Sequence, residues 1–190
     1  MTKNIMIVGV GGQGTLLASK ILGKLFTVKN FDVKVSEVHG MSQRGGSVVT
    51  YVRYGEKVYS PIIDFGEADF ILSFELLEAA RWAEYLSKSG LLITNTQEIN
   101  PMPVITGAAV YPENIEEKLR ALGLGLDSFD ALSLAETAGS AKAVNLVLLG
   151  RLSNHFDYDL EDWKDVIKEC VPEKHLEMNI KAFELGRNSK

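Results

Sequence analysis

Cysteine is almost missing from this chain. Cys170 stands alone among 190 residues, which rules out an internal disulfide, a four-cysteine zinc site and a self-contained iron–sulfur cluster. The stretch Trp163 to Val171 around it has a helical pattern, so a buried structural thiol is expected there. Histidine is nearly as scarce. His39, His155 and His175 show neither HExxH spacing nor close pairing, and no metal site built by this chain alone is expected. No apolar run is long enough to cross a bilayer, and the few apolar residues after Met1-Thr2-Lys3-Asn4 are too short for a secretion signal. The formal net charge is −5 and no basic run offsets it, which argues against nucleic acid or an anionic membrane as partner. A cytoplasmic protein with no nucleic-acid and no membrane partner is expected. Also missing are internal repeats, low-complexity tracts and flexible linkers, so residues 1–190 read as a single domain. At 46% hydrophobic and 24% charged residues, that domain has the composition of a globular protein with a real core.

What is present begins at the N-terminus. The apolar run Ile5-Met6-Ile7-Val8 leads into Gly9-Val10-Gly11-Gly12-Gln13-Gly14 and then into Thr15-Leu16-Leu17-Ala18, which reads as strand, tight turn, helix. Gly9, Gly11 and Gly14 fit G-x-G-x-x-G, the spacing of a dinucleotide or phosphate loop. Glycine accepts positive φ and lets a ligand approach the backbone, and the start of the next helix favours an anion. A tight turn without any ligand is the bland alternative.

The helix is expected over about 13–28 and a second strand over 33–38. No crossover helix follows. Instead comes the polar segment His39-Gly40-Met41-Ser42-Gln43-Arg44-Gly45-Gly46. Ser47 to Tyr54 and Lys57 to Ser60, flanking Gly55-Glu56, then read as a hairpin. Further strands are expected at 69–73, 91–95 and 129–132, with helices near 75–87, 114–122, 135–154, 160–170 and 173–187, Asn114 being a candidate cap. Strands alternating with helices give an α/β fold: a Rossmann-like, mostly parallel sheet flanked by helices, with an antiparallel β-hairpin addition and a helical C-terminal tail. Both glycine-rich loops then follow strands whose carboxyl ends share one edge, where ligands of such sheets bind.

Arg44 offers a forked, permanent positive charge suited to phosphate or carboxylate, and Ser42 and Gln43 add neutral donors. A solvated loop with Arg44 in a surface ion pair is the competing reading. Glu37 stands where nicotinamide enzymes place a ribose-binding acid. Glu75 opens a helix, where an acid suits the dipole without catalysis. No Ser/His/Asp or Cys/His arrangement and no acid–base carboxylate pair stands out, so no catalytic residue is assigned.

The two loop motifs together, Gly9 to Gly14 and Glu37 to Gly46, resemble the gamma domain of the 2-oxoacid:ferredoxin oxidoreductases and, within that family, the small (beta) subunits of its indolepyruvate branch. Lys142 to Gly150, Val171-Pro172-Glu173-Lys174, Asn179 and Ala182 to Gly186 are similar to the family's closing helices, so the likeness spans the chain. Ser140 departs from it, since the family carries a Gly-Asn pair at this turn. The resemblance implies a chain inactive alone that docks on a large (alpha) thiamine-diphosphate-binding subunit, which also carries the iron–sulfur clusters. The complex would convert an aryl 2-oxoacid such as indolepyruvate, with coenzyme A taking the acyl group and ferredoxin the electrons. Gly11, Gly12, Gln13, Gly14, Ser42, Gln43, Arg44, Gly45 and Gly46 would then help to hold coenzyme A. An apolar docking surface on 47–60, offering Val48, Val49, Tyr51 and Val52, is expected, with homo-oligomers when the chain is isolated. Two alternatives stand beside this: a free-standing NAD(P)- or flavin-dependent oxidoreductase using Gly9, Gly11, Gly14 and Glu37, and a nucleotide-sensing module.

Overall fold

Strand β1 (Lys3–Val10) is fully enclosed, with Ile5, Met6, Ile7 and Val8 all at 0% exposure in the computed structural model, which describes residues 2–39 and 46–189. Burial on both faces is what turns an alternating pattern into a continuous apolar run. Along the chain follow α1 (Thr15–Val28), β2 (Asp32–His39), β3 (Ser47–Gly55), β4 (Ala68–Ser73), α2 (Leu76–Trp82) and β5 (Leu86–Asn95). The remainder is α3 (Met102–Ile105), α4 (Ile115–Ala121), β6 (Gly125–Phe129), α5 (Ala131–Ala138), α6 (Val144–Ser153), α7 (Leu160–Cys170) and α8 (Glu173–Asn188).

Among the described residues the strands form one sheet in the order β2-β3-β1-β4-β5-β6. β1, β4, β5 and β6 run parallel, whereas β3 is antiparallel to both of its neighbours, β1 and β2. The expected mostly parallel α/β sheet with an antiparallel hairpin is therefore present.

Alternation along β1 divides the core. Ile5 and Ile7 join α1, α5, α6, α7 and α8 on one face, while Met6 and Val8 join α2 and α4 on the other. On the first face α8 buries Asn179, Ala182, Phe183 and Gly186, a spacing of three and four residues that lays one stripe on α6. Helix α6 is buried almost throughout. The closing helices thus supply a large part of the main core rather than an appendage.

Several boundaries differ from the sequence reading. The hairpin is β2 with β3, not β3 with 57–60, which is not a strand. Asp32 Oδ2 takes the Val58 N–H at 2.9 Å and Arg53 Nη1 donates to the carbonyls of Ser60 and Ile62, so side chains occupy the groups a ladder would use. Pro61 follows without a donor. The last strand lies at Gly125–Phe129, four residues earlier than expected. Asp130 ends it by capping α5, its Oδ1 accepting the Ser133 N–H at 2.9 Å. Gly139, at φ +125°, splits the stretch expected as one helix over 135–154 into α5 and α6. Asn114 does precede α4, with φ 57°, but its side chain makes no cap bond. Cys170 is half-buried at the end of α7, and burial pushes its thiol up.

The α6–α8 contact depends on two glycines. A Cβ on Gly150 would collide with the Phe183 carbonyl, and one on Gly186 with the Val147 carbonyl. Gly150→Ala and Gly186→Ala should each cost about 2 kcal/mol or more in urea unfolding, because backbone and not a side-chain tip must move. Gly23→Ala in α1, where the nearest atom is Val35 Cγ2 at 3.5 Å, should be neutral or gain up to about 1 kcal/mol. Equal losses at all three positions would refute the close-contact explanation.

Candidate functional site

The turn between β1 and α1 is built from glycines at positions that favour glycine by conformation or by space. Gly12 and Gly14 have φ of 95° and 87°, in the left-handed region. A Cβ on Gly14 would also sit 2.6 Å from Asn145 Nδ2. At Gly9 the restriction is space alone, since a Cβ there would lie 2.8 Å from Gln13 Oε1 and 3.0 Å from Phe74 Cβ. Helix α1 begins without a side-chain cap and without an acid in its first turn. Its positive end is left for an anion.

Side-chain amides lock the edge below this turn. Gln13 Oε1 accepts the Val10 N–H at 2.8 Å and its Nε2 donates to the Phe74 carbonyl at 3.1 Å. Asn95, fully buried, donates to the same carbonyl at 3.2 Å and accepts the Ala131 N–H at 3.1 Å. Asn145 Nδ2 reaches the Gly14 carbonyl at 3.3 Å. The ends of β1, β4 and β5 and the starts of α1, α5 and α6 are thereby stitched together.

The two glycine-rich segments meet as expected. Gly11 N–H donates to the Gly46 carbonyl at 3.0 Å. Of the nine residues expected to hold a ligand, Gly11, Gly12, Gln13, Gly14 and Gly46 are at this junction, whereas Ser42, Gln43, Arg44 and Gly45 lie outside the described residues. Glu37 is half-buried near the end of β2, in register with Thr50.

Glu78 escaped the sequence reading. It is 4% exposed, and its carboxylate accepts the Ser47 hydroxyl and the Trp82 indole N–H, the latter at 3.3 Å, with Arg81 Nε also at 3.3 Å. Because Ser47 directly follows Gly46, Glu78 anchors the described end of the second loop. Glu75 does cap α2, accepting the Glu78 N–H at 2.8 Å, and also takes the Ile99 N–H at 3.0 Å and the Tyr111 hydroxyl at 2.5 Å. Asn145 was legible in principle, as the single polar side chain in the apolar stretch Val144 to Leu149.

Cavities flank the junction on both faces. One of about 300 Å³ touches Val10, Gly46, Ser47, Glu75, Glu78 and Arg81. Another of about 620 Å³ touches Leu17, Ser140, Asn145, His175, Met178 and Asn179. Ser140 Oγ accepts the Lys142 N–H at 3.2 Å and caps the short turn before α6, as an asparagine would. Among the described residues no group of three His, Cys, Asp or Glu side chains is placed to hold a metal ion. The docking surface expected on 47–60 is not where it was sought, since Val48, Val49, Tyr51 and Val52 are at most 8% exposed. Layers on the two sheet faces enclose them, Val52 in the cluster with α1 and Val49 and Tyr51 in the one with α2. Among the most exposed apolar side chains are Tyr59, at 89%, within that stretch, and Val110, Leu122 and Ile105 outside it, at 85%, 68% and 66%.

Comparison with known proteins agrees with this geometry. Residues 4–189 match the family model described as pyruvate ferredoxin/flavodoxin oxidoreductase. The indolepyruvate oxidoreductase subunit IorB of Thermococcus kodakarensis is 47% identical over 188 residues, 96% of this chain and 93% of the relative. The subunit of the same name from Pyrococcus horikoshii is 46% identical over 189 residues, with 96% and 93% coverage. The solved 2-oxoglutarate:ferredoxin oxidoreductase from Magnetococcus marinus, with 2-oxoglutarate, coenzyme A and succinyl-CoA bound, shares the fold at TM-score 0.73 and 18% identity. That alignment covers 98% of this chain but 30% of the larger one.

Burial pushes the Glu78 carboxyl above its ordinary range, against the lowering effect of Ser47, Arg81 and Trp82, while Glu75 adds to the rise. The folded state then holds this proton more tightly than the unfolded chain, so the native state binds more protons and stability falls as pH rises from the ordinary glutamate value of 4.5 towards the folded pKa. Relative to Glu78→Gln, the wild type should lose stability over that rise in pH, measured as urea midpoints. A difference that does not change with pH would contradict the assignment.

Proposed function

The chain belongs to the pyruvate ferredoxin/flavodoxin oxidoreductase family as a gamma-type subunit of a 2-oxoacid:ferredoxin oxidoreductase, and from this premise we propose how it contributes to that enzyme. The free-standing dehydrogenase and nucleotide-sensor readings give way to it, because the match runs nearly the full length of both chains. The substrate is an aryl 2-oxoacid of the indolepyruvate type, in keeping with the names of these relatives. Coenzyme A takes the acyl group, carbon dioxide leaves, and the electrons pass to ferredoxin. Thiamine diphosphate and the iron–sulfur clusters belong to a large partner subunit and supply the decarboxylation and electron transfer there. A single cysteine fits a chain that does not itself carry the iron–sulfur clusters. We propose that the complex is cytoplasmic; no helix of the described residues is long and apolar enough to cross a membrane.

This chain's own task is to hold coenzyme A. The observation that carries this reading is the Gly11–Gly46 hydrogen bond of 3.0 Å, which joins both glycine-rich segments at the uncapped start of α1. An anionic diphosphate suits the backbone N–H groups of that start, and glycine lets it come close. Arg44, two residues before Gly46 in the sequence, carries a permanent positive charge suited to a phosphate. Glu78 and Ser47 fix the end of the loop that bears it.

In the assembled enzyme, Arg44→Ala should raise the KM for coenzyme A roughly tenfold, the loss of one charge-assisted contact. The KM for the 2-oxoacid should stay within about twofold. Steady-state assays at saturating 2-oxoacid measure this. An unchanged KM for coenzyme A would remove the second loop from its site.

A further inference from the structure

Beyond β5 the chain leaves the sheet for an apolar excursion. Between Glu98 and Glu113 stand fourteen residues without a charged one, in a chain that is 24% charged. Most of residues 101–110 are exposed, and α3 buries none of its residues. Met102, Ile105 and Val110 are 55%, 66% and 85% exposed. The excursion is nonetheless held at both ends. Glu75, 1% exposed, accepts the Ile99 N–H at one end and the Tyr111 hydroxyl at the other, and that hydroxyl accepts the Leu77 N–H at 3.1 Å. Between these pins the Pro103 carbonyl takes the N–H groups of Ala108 and Ala109 at 2.8 and 3.0 Å, and Gly107, at φ 77°, turns the chain. One buried carboxylate thus holds out a hydrogen-bonded knob whose apolar side chains add little to the chain's own core. Exposed apolar residues scattered singly are ordinary, but a charge-free cluster has the composition of an interface centre.

The place of the knob says what covers it. Pro101, Met102 and Pro103 line the 300 Å³ cavity that Gly46 and Ser47 also line, so the knob adjoins the junction of the two glycine-rich segments. On the coenzyme A reading above, on which this inference rests, that edge has to face the large subunit, because coenzyme A collects its acyl group there. We propose that the knob of residues 101–110 seats in an apolar recess of the large partner subunit, with Ile105 and Val110 as its anchors. A standard interface uses about 20–30 residues a side, so these ten supply its apolar centre and the surrounding edge its rim. A segment already held in shape loses less entropy on docking. The flanking charges are acidic, Glu98 and Glu113, whereas a segment made to lie on an anionic membrane carries lysine and arginine beside its apolar face.

Dilution of the complex, purified anaerobically through a tag on its large subunit, tests this, with subunit occupancy read by mass photometry. Ile105→Glu and Val110→Glu, at exposed positions that line neither cavity described above, should each raise the concentration of half-dissociation roughly tenfold or more, as loss of an interface anchor does. Val28→Glu, 53% exposed at the end of α1 far from the glycine turn, should leave it within about twofold. The thermal midpoint of the isolated chain should move by no more than about 2 °C in all three, since no buried group changes. With the subunits kept above the half-dissociation concentration, both knob variants should keep the wild-type KM for coenzyme A. Arg44→Ala should instead raise that KM without loosening the complex, so the two readings fail separately. Half-dissociation unchanged in both knob variants overturns the proposal. So does an intact complex in which those variants lose self-association of the isolated chain, which makes the knob a contact between two copies. An intact complex with lost binding to phosphatidylcholine vesicles overturns it equally, in favour of a membrane contact.

Discussion

A short connection governs this architecture. Residues 40–46 are all that lies between the end of β2 and the start of β3, and a parallel crossover needs a dozen or more residues. β3 must therefore return antiparallel to β2. It is antiparallel to β1 as well, so β2 and β1 point the same way and their carboxyl ends come to one edge. Two glycine-rich segments that are distant in sequence become hydrogen-bonded neighbours as a consequence. β1 stays central because β3 pairs one of its edges and β4 the other, and its core residues are buried because a layer packs on each face. A crossover helix in place of that connection would have separated the loops and freed the β3 side of β1 for another strand.

The edge so formed needs rigid backing, and the helical layer behind it supplies that. Trp163 of α7 and Phe183 of α8 meet with ring centroids 5.3 Å apart, both fully buried. Each such ring removes on the order of 150–250 Å² from water. Gly150 and Gly186 let α6 and α8 approach backbone to backbone, which holds the start of α6, and with it Asn145, against the Gly14 turn. Arg151 completes the clamp from the other end of α6. It forms a forked pair with Asp127 at 2.6 and 2.9 Å and bonds Ser189. Forked guanidinium–carboxylate geometry fixes direction as well as distance.

Features that rest on local rules were readable in the sequence. The first strand and its glycine turn follow from burial on both faces and from positive φ at Gly12 and Gly14. The stripe of α8 follows from spacing. The misread hairpin had a sound local signal in Gly55-Glu56, but Asp32, more than twenty residues earlier, captures the Val58 N–H and removes the ladder. Nothing near Val58 announces that. Glu78 is a similar case: a helical glutamate is ordinarily solvated, and its burial depends on Ser47 and Trp82 arriving from β3 and from the next turn of α2. Val48 to Val52 look like an exposed apolar strand until the layers packed on both sheet faces are known.

Amides are spent within the edge itself. Gln13, Asn95 and Asn145 direct their hydrogen bonds to backbone groups of the turn and the neighbouring strand and helix ends. Gln13 therefore contributes shape: with both ends of its amide engaged, it holds Val10 and Phe74 in place. A surface ordered before its ligand arrives loses less conformational entropy on binding. It also holds a reacting group at fixed distance from a second surface, where much of the barrier to a two-substrate reaction lies. A subunit can act on a reaction in that way without supplying the reacting groups itself. The demand on its sequence is then for glycines and buried amides at one sheet edge, which is what these residues supply.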